Sequence, residues 1–183
     1  MKVIPIESVK YNKDRNNWLK AEYTVFISKC IFENFQAPGP GGQKRNKKLS
    51  AVRLTHCETG ISATSCKSRY QLENKKIAFN KLKIYLAIEI RGSGIILTRN
   101  NISLSNKDYP LWVGLLFDKL WEYSFSINKT AKSVGLSTSK LIKLISRDSL
   151  IWKNINYNRE LTGLKKLIYP GKQGKNHNKI VPV

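Results

Sequence analysis

Between residues 50 and 90 the apolar side chains change period, and that change limits the folds open to the chain. In SAVRLTHCETGISATS, Val52 and Leu54 alternate with Arg53 and Thr55, ETG makes a turn, and Ile61 and Ala63 alternate on the return. A period of two around a turn predicts a β-hairpin with one buried face. In SRYQLENKKIAFNKLKIYLAIEI, Leu72, Lys76, Phe79, Lys83 and Leu86 mark one line, and Ile77, Leu82, Ile84 and Ile88 widen its apolar side. That spacing predicts a helix, ended by the glycines within residues 91–94. A hairpin and a helix adjacent in sequence bury their apolar sides against each other. The expected fold class is α+β: a small mixed β-sheet packed on a long helix, followed by an α-helical C-terminal region.

The flanking segments fill in this frame. Residues 1–17 are polar and are expected to be loose. In WLKAEYTVFISKC, Leu19, Tyr23, Ile27 and Cys30 fit a helix face, while the Tyr, Thr, Val, Phe and Ile content fits a strand equally well. The expectation is a short helix running into a strand at CIFENF. Between Ala37 and Leu49 the only apolar side chains are two prolines, so nothing anchors APGPGGQKRNKK to a core and it is expected to project into solvent. GIILTRNNISLS reads as a second small hairpin turning at Asn100 and Asn101. LWVGLLFDKLWEYSF reads as an amphipathic helix opened by Pro110. Ala131, Gly135, Leu136, Leu141 and Leu144 fall at helix-turn-helix spacing, with Ser137 as N-cap of the second helix. SLIWKNINYNRELTGLKKL adds a helix ended near Gly163. Trp112, Trp121 and Trp152 are expected in the core, and His56 as a structural strand histidine. The organisation expected is residues 1–17 as a flexible N-terminus, 18–95 as one domain, 96–169 as a mainly helical region and 170–183 as a basic tail.

Charge bounds the partners. Lys and Arg total 33 against 12 Asp and Glu, a formal net charge of +21. Solubility does not require that excess, and a polyanion, nucleic acid before membrane, is the natural partner. No apolar run approaches the roughly 18 residues that a membrane span needs. Cys30, Cys57 and Cys66 show no CxxC spacing and only His56 and His177 are available, so no metal site is expected, and reduced thiols are. The N-terminus lacks the apolar core of a secretory signal.

The segment at 37–48 lacks the spacing of a P-loop and the GxGxxG of a dinucleotide loop, and a plain linker has no use for six consecutive residues as basic as QKRNKK. Adjacent glycines allow close approach to a ligand, and Gln43 stands flanked by Lys44, Arg45, Lys47 and Lys48. GPGGQ, then RNK, SAVRLTH, TGI and QLENKKIAFNKL, resembles the catalytic domain of class I peptide chain release factors, with short release-factor-like and ribosome-rescue proteins as the nearest match. The resemblance covers residues 30–90. A weaker one links KTAKSVGLSTSKLIKLISRD and INYNRELTGLKKL to the helical tail of some bacterial release-factor-like proteins.

That resemblance implies a protruding GGQ loop in which Gly41, Gly42 and Gln43 form the catalytic tip. It implies an enzyme that hydrolyses the peptidyl-tRNA ester on the ribosome without a cofactor. The implied partners are large-subunit ribosomal RNA and P-site peptidyl-tRNA, with Gln43 a candidate substrate for a methyltransferase. Lys44, Arg45, Lys47, Lys48 and Arg53, and Lys172, Lys175 and Lys179 of the tail, are the expected RNA contacts. A cytoplasmic monomer with no membrane partner is expected. Lys44 stands where the family more often has His, and the chain is too short to carry the family's stop-codon-reading domains. Codon-independent release, as in ribosome rescue, is therefore the favoured expectation. The alternatives are a non-catalytic ribosome-associated or structural RNA-binding protein that retains the fold, and a helix-turn-helix nucleic-acid binder.

Overall fold

The structure, a computed structural model, describes residues 10–36, 49–92 and 103–170. In chain order the described elements are β1 (Lys10–Tyr11), α1 (Arg15–Lys20), α2 (Tyr23–Ile27), β2 (Cys30–Phe35), β3 (Ala51–His56), β4 (Ser62–Ser65), α3 (Gln71–Glu89), β5 (Ile90–Arg91), α4 (Tyr109–Glu122), α5 (Ile127–Ser133), α6 (Thr138–Ile145) and α7 (Ser149–Leu161). The architecture is α+β, as expected. β2, β3 and β4 form an antiparallel sheet in that order, while β1 and β5 pair in parallel.

The hairpin buries the side that its alternation selects. Val52, Leu54 and Ala63 face inward and are almost fully covered, with Ile61 beside them. α3 crosses this face, and its other flank packs on α4. That sandwiching explains why Leu82, Ile84, Leu86, Ala87 and Ile88 are all buried near its C-terminal end. The N-terminal end of α3 has only one covered stripe, and Leu72, expected on the apolar line, is 74% exposed. One apolar cluster continues from Trp18 and Phe26 through Val52 and Leu82 to Leu116, Leu141 and Ile151.

Three expectations change. Residues 10–17 are not loose: β1 pairs with β5, and Arg15 is fully buried. The segment 18–30 breaks into two short helices before β2, with Ala21 extended between them (φ −55°, ψ 138°). α3 does not run to the glycines at 92 and 94 but passes at Ile90 into β5, because β1 offers it a strand partner. The second hairpin expected at 94–105 lies mostly outside the described residues.

Arg15 accounts for much of how the N-terminal segment is held. Its guanidinium donates to both carboxylate oxygens of Asp118 on α4, at 3.0 and 2.7 Å, and to the carbonyls of Ile90 (3.1 Å) and Gly114 (3.3 Å). The Gly92 N–H donates to the same carboxylate at 3.1 Å. Side chains at the neighbouring glycines would crowd this group: a Cβ at Gly92 would lie 2.7 Å from Arg15 Nε, and one at Gly114 would lie 3.1 Å from Arg15 Cζ.

The C-terminal helices follow their sequence signals closely. Asp108 precedes a helix with Pro110 in its first turn, where a missing N–H costs nothing. α5 and α6 make the predicted helix-turn-helix. Gly135 has φ +69°, a conformation that L side chains rarely adopt, and the Ser137 side chain accepts from the Lys140 N–H. Trp112 is buried, and Trp121 and Trp152 pack half-buried against the core.

Candidate functional site

Most of the sequence candidates fall, in sequence, between two paired strands of the antiparallel sheet. Phe35, the last residue of β2, is the register partner of Ala51, the first of β3. Gly41, Gly42, Gln43, Lys44, Arg45, Lys47 and Lys48 fall between them in sequence and lie outside the described residues, as do Lys172, Lys175 and Lys179. The described structure therefore defines the two ends of the segment that carries the candidate tip.

The end that leads into β3 is held by Asn74, a buried amide on α3. Its Nδ2 donates to the Ser50 carbonyl at 2.8 Å and to the Ser68 carbonyl at 2.7 Å. Its Oδ1 accepts from Ser65 Oγ at 3.1 Å and from the Ser68 N–H at 3.0 Å. One side chain thus ties the residue before β3 and the last residue of β4 to the helix. A buried amide with all its hydrogen-bonding capacity used is costly to replace. Sequence reasoning missed it, because Asn in QLENKK reads as an ordinary polar residue of a first helical turn.

Of the expected RNA contacts, Arg53 is the one within the described residues. It stands opposite Glu33 in the β2–β3 ladder, on the sheet face away from α3. The pair is 3.8 Å apart with both side chains about half exposed (48% and 51%), and the guanidinium lies 5.4 Å from the Phe35 ring centroid. An exposed pair of this kind contributes roughly 0–1 kcal/mol, so little holds Arg53 back from an incoming phosphate. A shallow concavity of about 520 Å³ beside it is lined by Glu33, Arg53, Thr55, Ser62, Thr64 and Tyr85. On the other face, Lys75 Nζ sits 4.5 Å from the Phe32 ring centroid.

The lysines of α3 divide. Lys76 is solvent-exposed. Lys81 donates to the Thr64 carbonyl at 2.9 Å, bracing β4. Lys83, placed by its spacing on the apolar line, is interior. Its Nζ donates to the carbonyls of Leu19 (2.9 Å) and Ala21 (2.6 Å) and lies over the Phe79 and Phe26 rings at 4.9 and 5.4 Å. It caps the C-terminal carbonyls of α1, which no helical N–H reaches. Burial lowers its pKa, with Glu22 opposing.

His56 is a packing residue. It is buried against Trp18 and Phe26, with ring centroids 4.6 and 5.7 Å away, and Nδ1 lies 3.1 Å from Thr59 Oγ1. Burial lowers its pKa, so the ring is neutral at pH 7. Burial pushes the Cys30 thiol up to about 11, which removes it as a nucleophile near neutrality. The sheet edge therefore presents a cationic, hydrogen-bonded support without an activated side-chain base of its own among the described residues.

A family model described as "RF-1 domain" matches residues 20–94. The chain is 36% identical over 126 residues to peptide chain release factor 1 of Mycoplasma capricolum subsp. capricolum, covering 67% of this chain and 32% of the relative. It is 44% identical over 64 residues to peptide chain release factor 2 of Borreliella burgdorferi, covering 35% and 18%. It is 46% identical over 54 residues to a probable mitochondrial peptide chain release factor 1 of Caenorhabditis elegans, covering 30% and 14%. The chain spans about a third of the first of these relatives and less of the other two. The sheet, α3 and the segment between β2 and β3 all fall inside the matched range, and through that range the chain belongs to the family of class I peptide chain release factor catalytic domains.

Proposed function

We propose that the protein promotes hydrolysis of the peptidyl-tRNA ester on the ribosome without reading a codon, as a translation release or ribosome-rescue factor in the cytoplasm. The observation that carries this reading is positional. Gly41-Gly42-Gln43 lies in sequence between Phe35 and Ala51, which are paired partners in the sheet, within the segment that the RF-1 domain matches.

The chemistry suits a protein that brings no base. Water attacks the ester carbonyl and negative charge develops on oxygen. A backbone N–H at Gln43 stabilises that charge, a contribution of about 3–4 kcal/mol per donor in enzymes. The Gln43 side chain admits water and excludes larger nucleophiles, while ribosomal RNA and the tRNA's terminal ribose supply the rest. Lys44, Arg45, Lys47, Lys48 and Arg53 neutralise phosphates around the tip, and Lys172, Lys175 and Lys179 extend the contact.

The test measures release of labelled peptide from ribosome complexes whose A site holds a stop codon, a sense codon or no codon. Comparable release from all three supports the reading. Release confined to the stop-codon complex defeats codon independence. Ribosome binding with no release from any complex favours a non-catalytic RNA-binding role.

A further inference from the structure

The helix-turn-helix unit keeps every one of its cations on its solvent side. Lys129 and Lys132 of α5, Lys140 and Lys143 of α6, and Arg147 in the turn after α6 are all exposed. No acidic residue occurs between Glu122 and Asp148. Elsewhere in these helices acids do neutralise lysines: Lys119 pairs with Glu122 at 2.7 Å and Lys166 with Glu160 at 2.8 Å. Among the described residues, none of the five cations of the unit has an acidic partner within ion-pair distance.

The fold orders these charges. Leu141, Leu144 and Ile145 bury the inner side of α6, which turns Lys140 and Lys143 outward at a spacing of three, and Arg147 follows, exposed, in the turn after the helix. A spacing of three recurs on one side of a helix, with an axial rise of about 4.5 Å. The Gly135 turn and the Ser137 cap hold α6 in place before any ligand arrives. A preformed array loses less entropy on binding than a flexible arm. The outer side of α6 adds only Ser139 and carries no aromatic or amide side chain to stack on or read a base. The array is therefore suited to phosphates and not to sequence.

We propose that the outer face of α5 and α6 is a second RNA-binding surface, which grips the backbone of an RNA helix through Lys140, Lys143 and Arg147. The choice of RNA over DNA rests on the ribosomal reading above; the phosphate array itself does not. The narrow major groove of an A-form helix excludes side chains from its base edges, which matches a face built for backbone contact.

The experiment uses the full chain and a short fluorescent RNA duplex, with anisotropy followed between about 50 and 200 mM salt. Lys140→Ala/Lys143→Ala/Arg147→Ala is compared with Lys13→Ala/Lys29→Ala/Lys153→Ala, which removes the same charge from exposed positions elsewhere. The α6 variant should bind at least tenfold more weakly, and its salt slope should flatten by about one for each lost phosphate contact. The control should stay within about twofold of the parent. Equal weakening in both overturns the site, as does an unchanged α6 variant. Tighter binding to the matched DNA duplex overturns the RNA assignment. If the alanine variant melts early, Lys140→Gln/Lys143→Gln/Arg147→Gln is read by the same criteria. No ribosome enters this assay, so a chain that binds the duplex through α6 yet releases no peptide defeats the proposed function alone.

Discussion

Positive charge is used in opposite ways in the two parts of the molecule. Around the sheet, two cations are drawn inside. Arg15 and Lys83 are the buried cations among the described residues: Arg15 holds the Asp118 carboxylate and the Ile90 and Gly114 carbonyls, and Lys83 holds the Leu19 and Ala21 carbonyls. In the C-terminal helices the interior is built from Leu116, Phe117, Leu141 and Ile151, and the lysines stay in water. A net charge of +21 is therefore not a uniform adhesive coat. Some cations set the architecture around α1, and others are free for a polyanion. Geometry separates the two groups where composition cannot.

The largest test of this division is Arg15→Ala. It strands the Asp118 carboxylate, whose side chain is only 15% exposed, and removes the donor to Ile90 and Gly114. Breaking a buried pair in this way costs about 3–5 kcal/mol, measurable by denaturant unfolding. A loss below about 1 kcal/mol would mean that water reaches the site and the pair is not structural. Next is Asn74→Ala, which unmakes the clamp at Ser50, Ser65 and Ser68. A cost on the order of 2–3 kcal/mol is expected. Release should also slow at saturating protein, because the sheet edge leading from the tip loses its support. Normal release from a destabilised variant would detach the clamp from the chemistry.

Lys83→Met sharpens the comparison by removing a charge while keeping the stem. It should cost about 1–2 kcal/mol through the unpaired Leu19 and Ala21 carbonyls. Ribosome affinity should not change, in contrast with the exposed cations of α6. A weakened, flatter salt dependence would show that Lys83 meets RNA after all. The smallest effect is acid sensitivity. Burial lowers the His56 pKa below its ordinary 6.5, so on acidification the unfolded chain takes up this proton first. Stability from this group is full above about pH 6.5 and is lost as pH falls through the lower folded value. His56→Gln should flatten that part of a melting-temperature profile taken from pH 7.5 to 5.

Local pattern made much of this fold legible. The β3–β4 hairpin announces itself by alternation, α3 by its longer period, and the α5–α6 turn by Gly135 followed by Ser137. What escaped was the fate of polar residues whose partners are distant in sequence. Arg15 finds Asp118 across 103 positions, and Lys83 finds Leu19 across 64. Nothing local distinguishes these side chains from solvated ones. β5 escaped for the same reason, since its strand character depends on β1 lying beside it. Leu72 shows the converse: it has the right period for burial, but none of the described residues covers it. GGQ and its basic flank were legible as a motif, whereas the Asn74 clamp on Ser50, Ser65 and Ser68 was not.

The most direct test of the account is single-turnover peptide release at saturating protein, comparing the parent with Gly42→Ala while ribosome binding is measured in parallel. A methyl at this position restricts the backbone and leaves the charge intact. The account predicts that release falls by about a hundredfold or more, with ribosome affinity within about twofold of the parent. Equal release rates for the two proteins at equal occupancy would contradict it.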